Sequence, residues 1–275
     1  MAKYICYPGG KAKALTMSYD DGVYEDIKLL EIFNKYGIKG TFNINYGLTS
    51  GEVVNPAANK RIPLEKIGEV YKGHEIATHS YSHPTIARCT NTEVAMEILK
   101  DRMGLEKATG KIIRGHAYPN GSYNDEIKSL LSSLGIAYAR VVPTTGGFEL
   151  PEDPMEWKAT CHHSDPKLMD LAKEFAEFKK SQYLKLMYVW GHAFEFETSQ
   201  TYGWEVMEEF CKYMGGRDDI WYATNIEIID YLNAAKQIQY SADGTAAYNP
   251  TATTVCIQVG DKKYVDLLPG KIQLL

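Results

Sequence analysis

The feature that most restricts this chain is a repeated alternation of β-forming runs with amphipathic helical segments. Strands separated by helices pair in parallel. The run AKALTMSYDD is strand-like and leads into YEDIKLLEIFNKY, where Ile27, Leu30 and Phe33 fall on one helical face with Leu29 and Ile32 beside it. Gly37 ends that helix, and IKGTFNINYG follows as a β-rich run. PLEKIGEVYKG reads as a helix closed by Gly73, then HEIATHSYSH as strand and loop. A long helix is expected from Thr92 to Thr109, N-capped by Thr90 or Asn91. KIIRGHAYPNG, IAYARVV, YLKLMYVWGHAF and DIWYAT supply further strands. Helices are expected in NDEIKSLLSSLG, PKLMDLAKEFAEFKKS, EVMEEFCKYMG and NIEIIDYLNAAK, and the stretch after IAYARVV reads as a loop rich in Pro and Gly.

About seven such units imply a parallel sheet, either open or closed into a barrel. No GxGxxG follows the first strand, so the dinucleotide-binding open sheet has no support. The expected fold is therefore α/β: an imperfect, TIM-like (β/α) barrel spanning residues 1–236. A length of 275 residues suits one large domain of this kind. From Gln237 onward Asp-Gly, Asn-Pro and Gly-Asp turns separate short β-rich runs. Residues 237–275 are expected to form a small β-rich C-terminal extension packed on the barrel, with TTVCIQV and KKYVDLL as a hairpin around Gly260-Asp261.

Composition narrows the partners. A formal net charge of −5, with no Lys/Arg stripe, argues against nucleic acid. The longest apolar runs are strand-sized, far short of the roughly 20 residues a bilayer span needs, so no membrane partner is expected. The start MAKYICYPGG lacks the apolar stretch of a secretory signal, which points to the cytoplasm unless a leader has been trimmed. The five cysteines are odd in number, scattered and free of any CxxC pair, so a thiolate zinc site is not expected. They read as small buried hydrophobes, a pattern that mildly favours a reducing compartment. Oligomeric state is not legible.

In a parallel barrel, reactive groups gather where strands end. Four strand ends here carry polar chemistry: SYDDG, THSYSH, HAYPNG and WGHAF. Asp20-Asp21-Gly22 alone is a common turn, but two adjacent carboxylates repel, and a cation beside them would hold both ionised. His79 and His83 stand four apart, a spacing that brings two imidazoles onto one ion. With Asp21 they make an Asp–His–His set that leaves positions open for water and substrate. Ser80 and Ser82 could orient these ligands or simply satisfy the loop backbone. His192 ends its strand where amide or ester hydrolysis needs a proton donor, and Glu195 and Glu197 follow it closely enough to support it. His116 and the His162-His163 pair read as bystanders; Tyr118 and Trp190, the aromatic residues nearest the site, could stack on a sugar or simply serve core and surface packing, the commoner use.

Together these pieces resemble the polysaccharide deacetylase family, also called the NodB-homology domain or carbohydrate esterase family 4. The family's TFDDG motif is similar to SYDDG at Ser18–Gly22, and its H-S/T-x-x-H motif to HSYSH at His79–His83. RGHAYPNG partly matches the third motif, WGH at Trp190–His192 looks like the late Leu-x-His motif, and the resemblance spans roughly residues 10–235. It implies a distorted (β/α) barrel of seven strands, with Asp20 as general base and Asp21, His79 and His83 as ligands of a divalent metal, zinc above all, with cobalt or nickel as substitutes. It further implies His192 as general acid, Arg114 as the group orienting the base, and the backbone N–H of Asn120 as oxyanion donor. Arg114 stands farther from Gly121 than the family's Arg does from its Gly, Asn120 replaces an aromatic residue, and no clear fourth motif follows Tyr138. The implied activity is removal of acetyl groups from N-acetylated sugars. An O-acetyl (xylan) esterase, a small-amide hydrolase with the same site, and a non-catalytic metal-bearing sugar-binding protein are the alternatives.

Overall fold

The computed structural model describes residues 2–55, 60–261 and 263–275. Met1, 56–59 and Lys262, the last of which begins the expected KKYVDLL strand, lie outside the described residues. Along the chain the strands are β1 (Lys3–Cys6), β2 (Lys13–Asp20), β3 (Gly40–Ile44), β4 (Glu75–Thr78), β5 (Gly115–Ala117), β6 (Tyr138–Thr144), β7 (Trp157–Ala159), β8 (Cys161–His162), β9 (Lys185–Gly191) and β10 (Ile220–Tyr222). The C-terminal strands are β11 (Gln239–Tyr240), β12 (Ala246–Asn249), β13 (Val255–Val259), β14 (Lys263–Leu267) and β15 (Lys271–Leu274). Between them lie α1 (Asp26–Tyr36), α2 (Tyr46–Ser50), α3 (Ile67–Val70), α4 (Asn91–Thr109), α5 (Asp125–Ser133), α6 (Leu168–Glu177), α7 (Glu195–Thr198), α8 (Trp204–Met214) and α9 (Asn225–Ala235).

Strands β7-β6-β5-β4-β3-β2-β9-β8 pair in that order, all parallel. The ring closes because β7 and β8 are two halves of one extended segment. Trp157 and Lys158 pair with Arg140 and Val141 of β6, whereas Cys161 and His162 pair with Val189 and Trp190 of β9. Thr160, at the joint, donates its N–H to the Tyr188 carbonyl at 2.8 Å. Counted as one, this segment makes the distorted barrel seven-stranded, as expected.

The closing member differs from the sequence reading. Residues 157–162 read as loop, because neither half is long enough to show a two-residue period. Ile220–Tyr222, read as the last barrel strand, lies instead beside Lys13–Leu15, below the point where β3 starts to pair with β2 at Met17. The helix signals were more direct. Gly37 ends α1 at φ 68, and Thr90 caps α4 in a capping box with Glu93.

Alternation along β2 sorts its side chains. Leu15, Met17 and Tyr19 face helices and pack with Leu29, Phe33, Met207 and Phe210, while Ala14 packs with Tyr138, Trp157 and Tyr188 from other strands. The interior also holds polar groups that bond one another. Asn225, the first residue of α9, accepts from Thr16 Oγ1 at 2.8 Å and donates to Tyr188 Oη at 2.7 Å. Its backbone N–H donates to Thr41 Oγ1 at 3.0 Å, which in turn donates to Glu75 Oε2 at 2.8 Å. The start of α9 thus closes the end of the barrel opposite the strand C-termini.

The residues from Gln237 form two small antiparallel sheets, β11-β12-β15 and β1-β13-β14. Lys3–Cys6 therefore joins the C-terminal strands, with Cys6 opposite Cys256. Tyr231 of α9 donates to the Cys6 carbonyl and accepts from Cys256 N–H at 2.9 Å, which ties this layer to the barrel. No helix among the described residues is long and apolar enough to cross a membrane.

Glu75 gives the interior a pH dependence. Burial pushes its carboxyl up to about 7, against the opposing donors Ile226 N–H, Tyr138 Oη and Thr41 Oγ1. The folded chain therefore keeps Glu75 protonated where the unfolded chain has ionised it, so this residue's contribution falls as pH rises from 4.5 through about 7. Glu75→Gln should remove that component. The difference in urea midpoint between variant and wild type should shift across this window; a difference constant with pH would show that Glu75 does not titrate there.

Candidate active site

The end of β2 delivers Asp20 into the barrel. Its Oδ1 accepts from Asn43 Nδ2 at 2.8 Å, and its Oδ2 accepts from Arg140 Nη2. The same Oδ2 lies 3.9 Å from His79 Nε2 and 3.8 Å from His192 Nε2. Burial works to raise the Asp20 pKa, but Arg140, His79 and His192 outweigh it and hold the carboxyl well below the usual carboxylate range.

The strand then turns sharply. Asp21 has φ 87, accepts from Arg61 Nη1 at 3.1 Å on Oδ1, and offers its backbone carbonyl to the same guanidinium. At the end of β4, the His79 backbone N–H donates to the Ile44 carbonyl at 3.1 Å and to Asp101 Oδ2 at 2.9 Å. Its ring Nδ1 donates to the Ala117 carbonyl of β5 at 2.8 Å, which leaves the Nε2 lone pair facing inward. Burial pushes the His79 pKa down to about 4, so the ring is neutral at pH 7. His83 returns on the following turn with its ring centroid 4.8 Å from that of His79. One donor atom each from Asp21, His79 and His83 lie within 4.8 Å of one another.

The positive-φ non-glycine residues among the described residues are Asp21, Ser80, His83 and Asn120, all in turns that follow barrel strands at this end. Left-handed backbone at such residues costs about 1–3 kcal/mol each and persists where surroundings enforce it. Arg61 braces the first turn, and Glu97 braces the second by accepting from Ser82 N–H and Oγ, both at 2.8 Å.

His192, at the end of β9, donates Nδ1–H to Glu195 Oε1 at 3.0 Å. Burial lowers its proton affinity, but Glu195, Asp20 and Asp21 more than compensate, and the net shift is upward. Glu195 itself is held well below the usual range: burial opposes this, and hydrogen bonds from His163 and His192 win.

Two expectations need correction. Arg114 does not reach Asp20; it pairs with Asp230 of α9, Nη1 to Oδ1 at 3.0 Å, on the outside of the barrel. The cation on Asp20 is Arg140, a lone basic residue inside the β run IAYARVV, and its inward position in that strand was the available signal. Tyr118 and Trp190 are buried rather than presented for stacking: Tyr118 donates to the Met155 carbonyl at 3.0 Å, and the Arg140 guanidinium lies 4.2 Å over the Trp190 ring. Asn120 is exposed in the turn after β5, three residues beyond the carbonyl that holds His79. His162 and His163, read as bystanders, both face Glu195.

The profile of the polysaccharide deacetylase family matches residues 7–139. Over that segment, just under half of its length, the chain is similar to the polysaccharide deacetylase family. The matched segment holds Asp20, Asp21, His79 and His83 but ends before Arg140 and His192. A chitin deacetylase of Arthroderma benhamiae is 30% identical over 127 residues, 44% of this chain and 31% of that protein. A peptidoglycan-N-acetylglucosamine deacetylase of Listeria monocytogenes is 26% identical over 117 residues, 42% of this chain and 23% of that protein. The matches thus span less than a third of these relatives' lengths. In fold, the chain is similar to a family 4 carbohydrate esterase from Streptomyces lividans, with TM-score 0.53, 12% identity, and coverage of 78% of this chain and 93% of that one.

The two arginines make contrasting predictions. Arg140→Leu strands a buried carboxylate and should cost about 3–5 kcal/mol of stability. Arg114→Leu breaks a half-exposed pair and should cost only about 0–1 kcal/mol. Urea denaturation of both variants measures this; equal losses would refute the assignment of Arg140.

Proposed function

We propose that this protein is a metal-dependent hydrolase that removes acetyl groups from N-acetylated carbohydrates. The observation that carries this reading is the convergence of Asp21, His79 and His83 beside a buried, ionised Asp20 that faces His192. The donor set suits a divalent ion: one carboxylate and two imidazoles, with the His79 tautomer fixed by the Ala117 carbonyl. Zinc fits these ligands best, and cobalt or nickel accept the same set. A divalent ion bound there supplies a Lewis acid that acidifies water and polarises the acyl carbonyl.

The chain's own groups divide the proton transfers. Asp20, kept ionised by Arg140, accepts a proton from water as the new C–O bond forms. His192, whose proton affinity is raised by Glu195 and the aspartates, gives its Nε2 proton to the departing nitrogen as the C–N bond breaks. Acetate and the free amine are the products. The backbone N–H of Asn120, in the turn beside Ala117, is assigned to the oxyanion. Acid and base lie on either side of one point, with 3.8 Å between His192 Nε2 and Asp20 Oδ2.

The test is acetate release by protein stripped of metal and reloaded with zinc or cobalt. The panel comprises chitin and peptidoglycan fragments, O-acetylated xylan oligomers and small acetamides. Metal-restored release from the N-acetylated sugars is expected, and release from xylan alone would replace the reading with an esterase. Asp20→Asn should retain the metal and lose about 10²–10⁴-fold in turnover, the range of positioned acid–base catalysis. Full activity in that variant would remove Asp20 from the mechanism.

A further inference from the structure

Glu195 opens α7 three residues past His192 and gathers more donors than its task toward that residue requires. Its Oε1 accepts from His192 Nδ1 at 3.0 Å. Its Oε2 faces His163 Nε2 at 2.9 Å, His162 Nε2 at 3.3 Å and Tyr202 Oη at 3.2 Å. Each carboxylate oxygen offers about two lone-pair positions, so Oε1 serves His192 while three polar neighbours crowd Oε2. The proton on His162 can be located: the Ser164 backbone N–H donates to His162 Nδ1 at 3.2 Å, so that nitrogen holds a lone pair and Nε2 carries the hydrogen. His163 is wedged in place, stacked on Phe196 at 4.2 Å and on Tyr19 at 5.6 Å with no exposed side-chain surface. Gly191 leaves room for it, since a Cβ there would fall 2.1 Å from His163 Nδ1. Tyr19 immediately precedes Asp20, so the clamp and the proposed base hang from the same strand.

We infer that His162, His163 and Tyr202 are positioning residues that fix Glu195 and, through it, hold His192 with Nδ1–H toward Glu195 and Nε2 toward Asp20. The inference rests on the reading of His192 as the proton donor to the leaving group. A glutamate on a short surface helix has several free torsions, and a partly exposed imidazole can turn over. Four polar neighbours, one of them a fully buried ring, remove that freedom before substrate arrives.

The experiment compares two leaving groups. An amine must be protonated as it departs from an N-acetylated chitin oligomer, whereas 4-nitrophenolate leaves 4-nitrophenyl acetate unaided. His163→Phe keeps the stacked ring and removes the donor; Tyr202→Phe removes the hydroxyl; Glu195→Gln removes the anion. On the oligomer, kcat should fall about 10-fold for the first two and about 10²-fold for the third, with KM nearly unchanged. On the aryl ester all three should stay within about 2-fold of wild type, because protonation of the leaving group no longer contributes. Equal losses on both substrates would reduce the cluster to a structural element and overturn the inference.

A second measurement does not depend on turnover. Histidine-ring 1H–15N spectra of the wild type should show His192 protonated at Nδ1, with the signal broadened or redistributed between nitrogens in His163→Phe. A wild-type His192 protonated at Nε2 alone would overturn the inference. So would a second equivalent of zinc, bound by wild type and lost in His163→Phe, because the cluster would then be a metal centre. If wild type releases acetate from neither substrate, the proposed function fails while the spectra still decide the positioning.

Discussion

The ion pair between Arg140 and Asp20 organises everything at this end of the barrel. Burial by itself would neutralise Asp20, and a neutral acid there would neither accept a proton nor draw the imidazoles inward. The guanidinium reverses this from the far side of the ring, on a strand separated from β2 by three others in the sheet order. The Trp190 ring covers Arg140, with the guanidinium carbon 4.2 Å from the ring centroid, and helps hold the cation in place. Around that fixed charge, Asn43, His79 and His192 all aim polar atoms at the same carboxylate.

A second constraint is conformational. The site's turns hold four non-glycine residues at positive φ, where a smoother loop would have been less costly. Two of these turns are tied to neighbours: that after β2 by Arg61 to Asp21, that after β4 by Asp101 to the His79 backbone and by Glu97 to Ser82. Asp101 sits in the middle of α4, which positions the β4 turn from behind. The metal-ligand candidates are thus anchored by helices and loops that never enter the site.

Local chemistry made the helices legible. Thr90 with Glu93 and Thr224 with Glu227 form complete capping boxes, and each such signal acts within one turn of chain. Asp20, Asp21, His79, His83 and His192 were legible because strand ends in a parallel barrel face one direction, so reactive residues there converge. Arg114 failed because motif position is not geometry. It precedes a strand that matches only in part, and its side chain emerges on the outer wall beside α9. The closing segment 157–162 was hidden because its two halves pair with different strands.

The sequence by itself therefore determined the main helices, most of the barrel strands and the residue types at four strand ends, since propensity, capping and periodicity are short-range properties written in adjacent residues. Tertiary structure alone decided which cation meets Asp20, which segment closes the ring, and that His162, His163 and Tyr202 meet on Glu195. Apart from Tyr202, seven residues from Glu195, those outcomes depend on residues tens to more than a hundred positions apart being brought together, and such distances follow from register and closure of the sheet rather than from any local pattern.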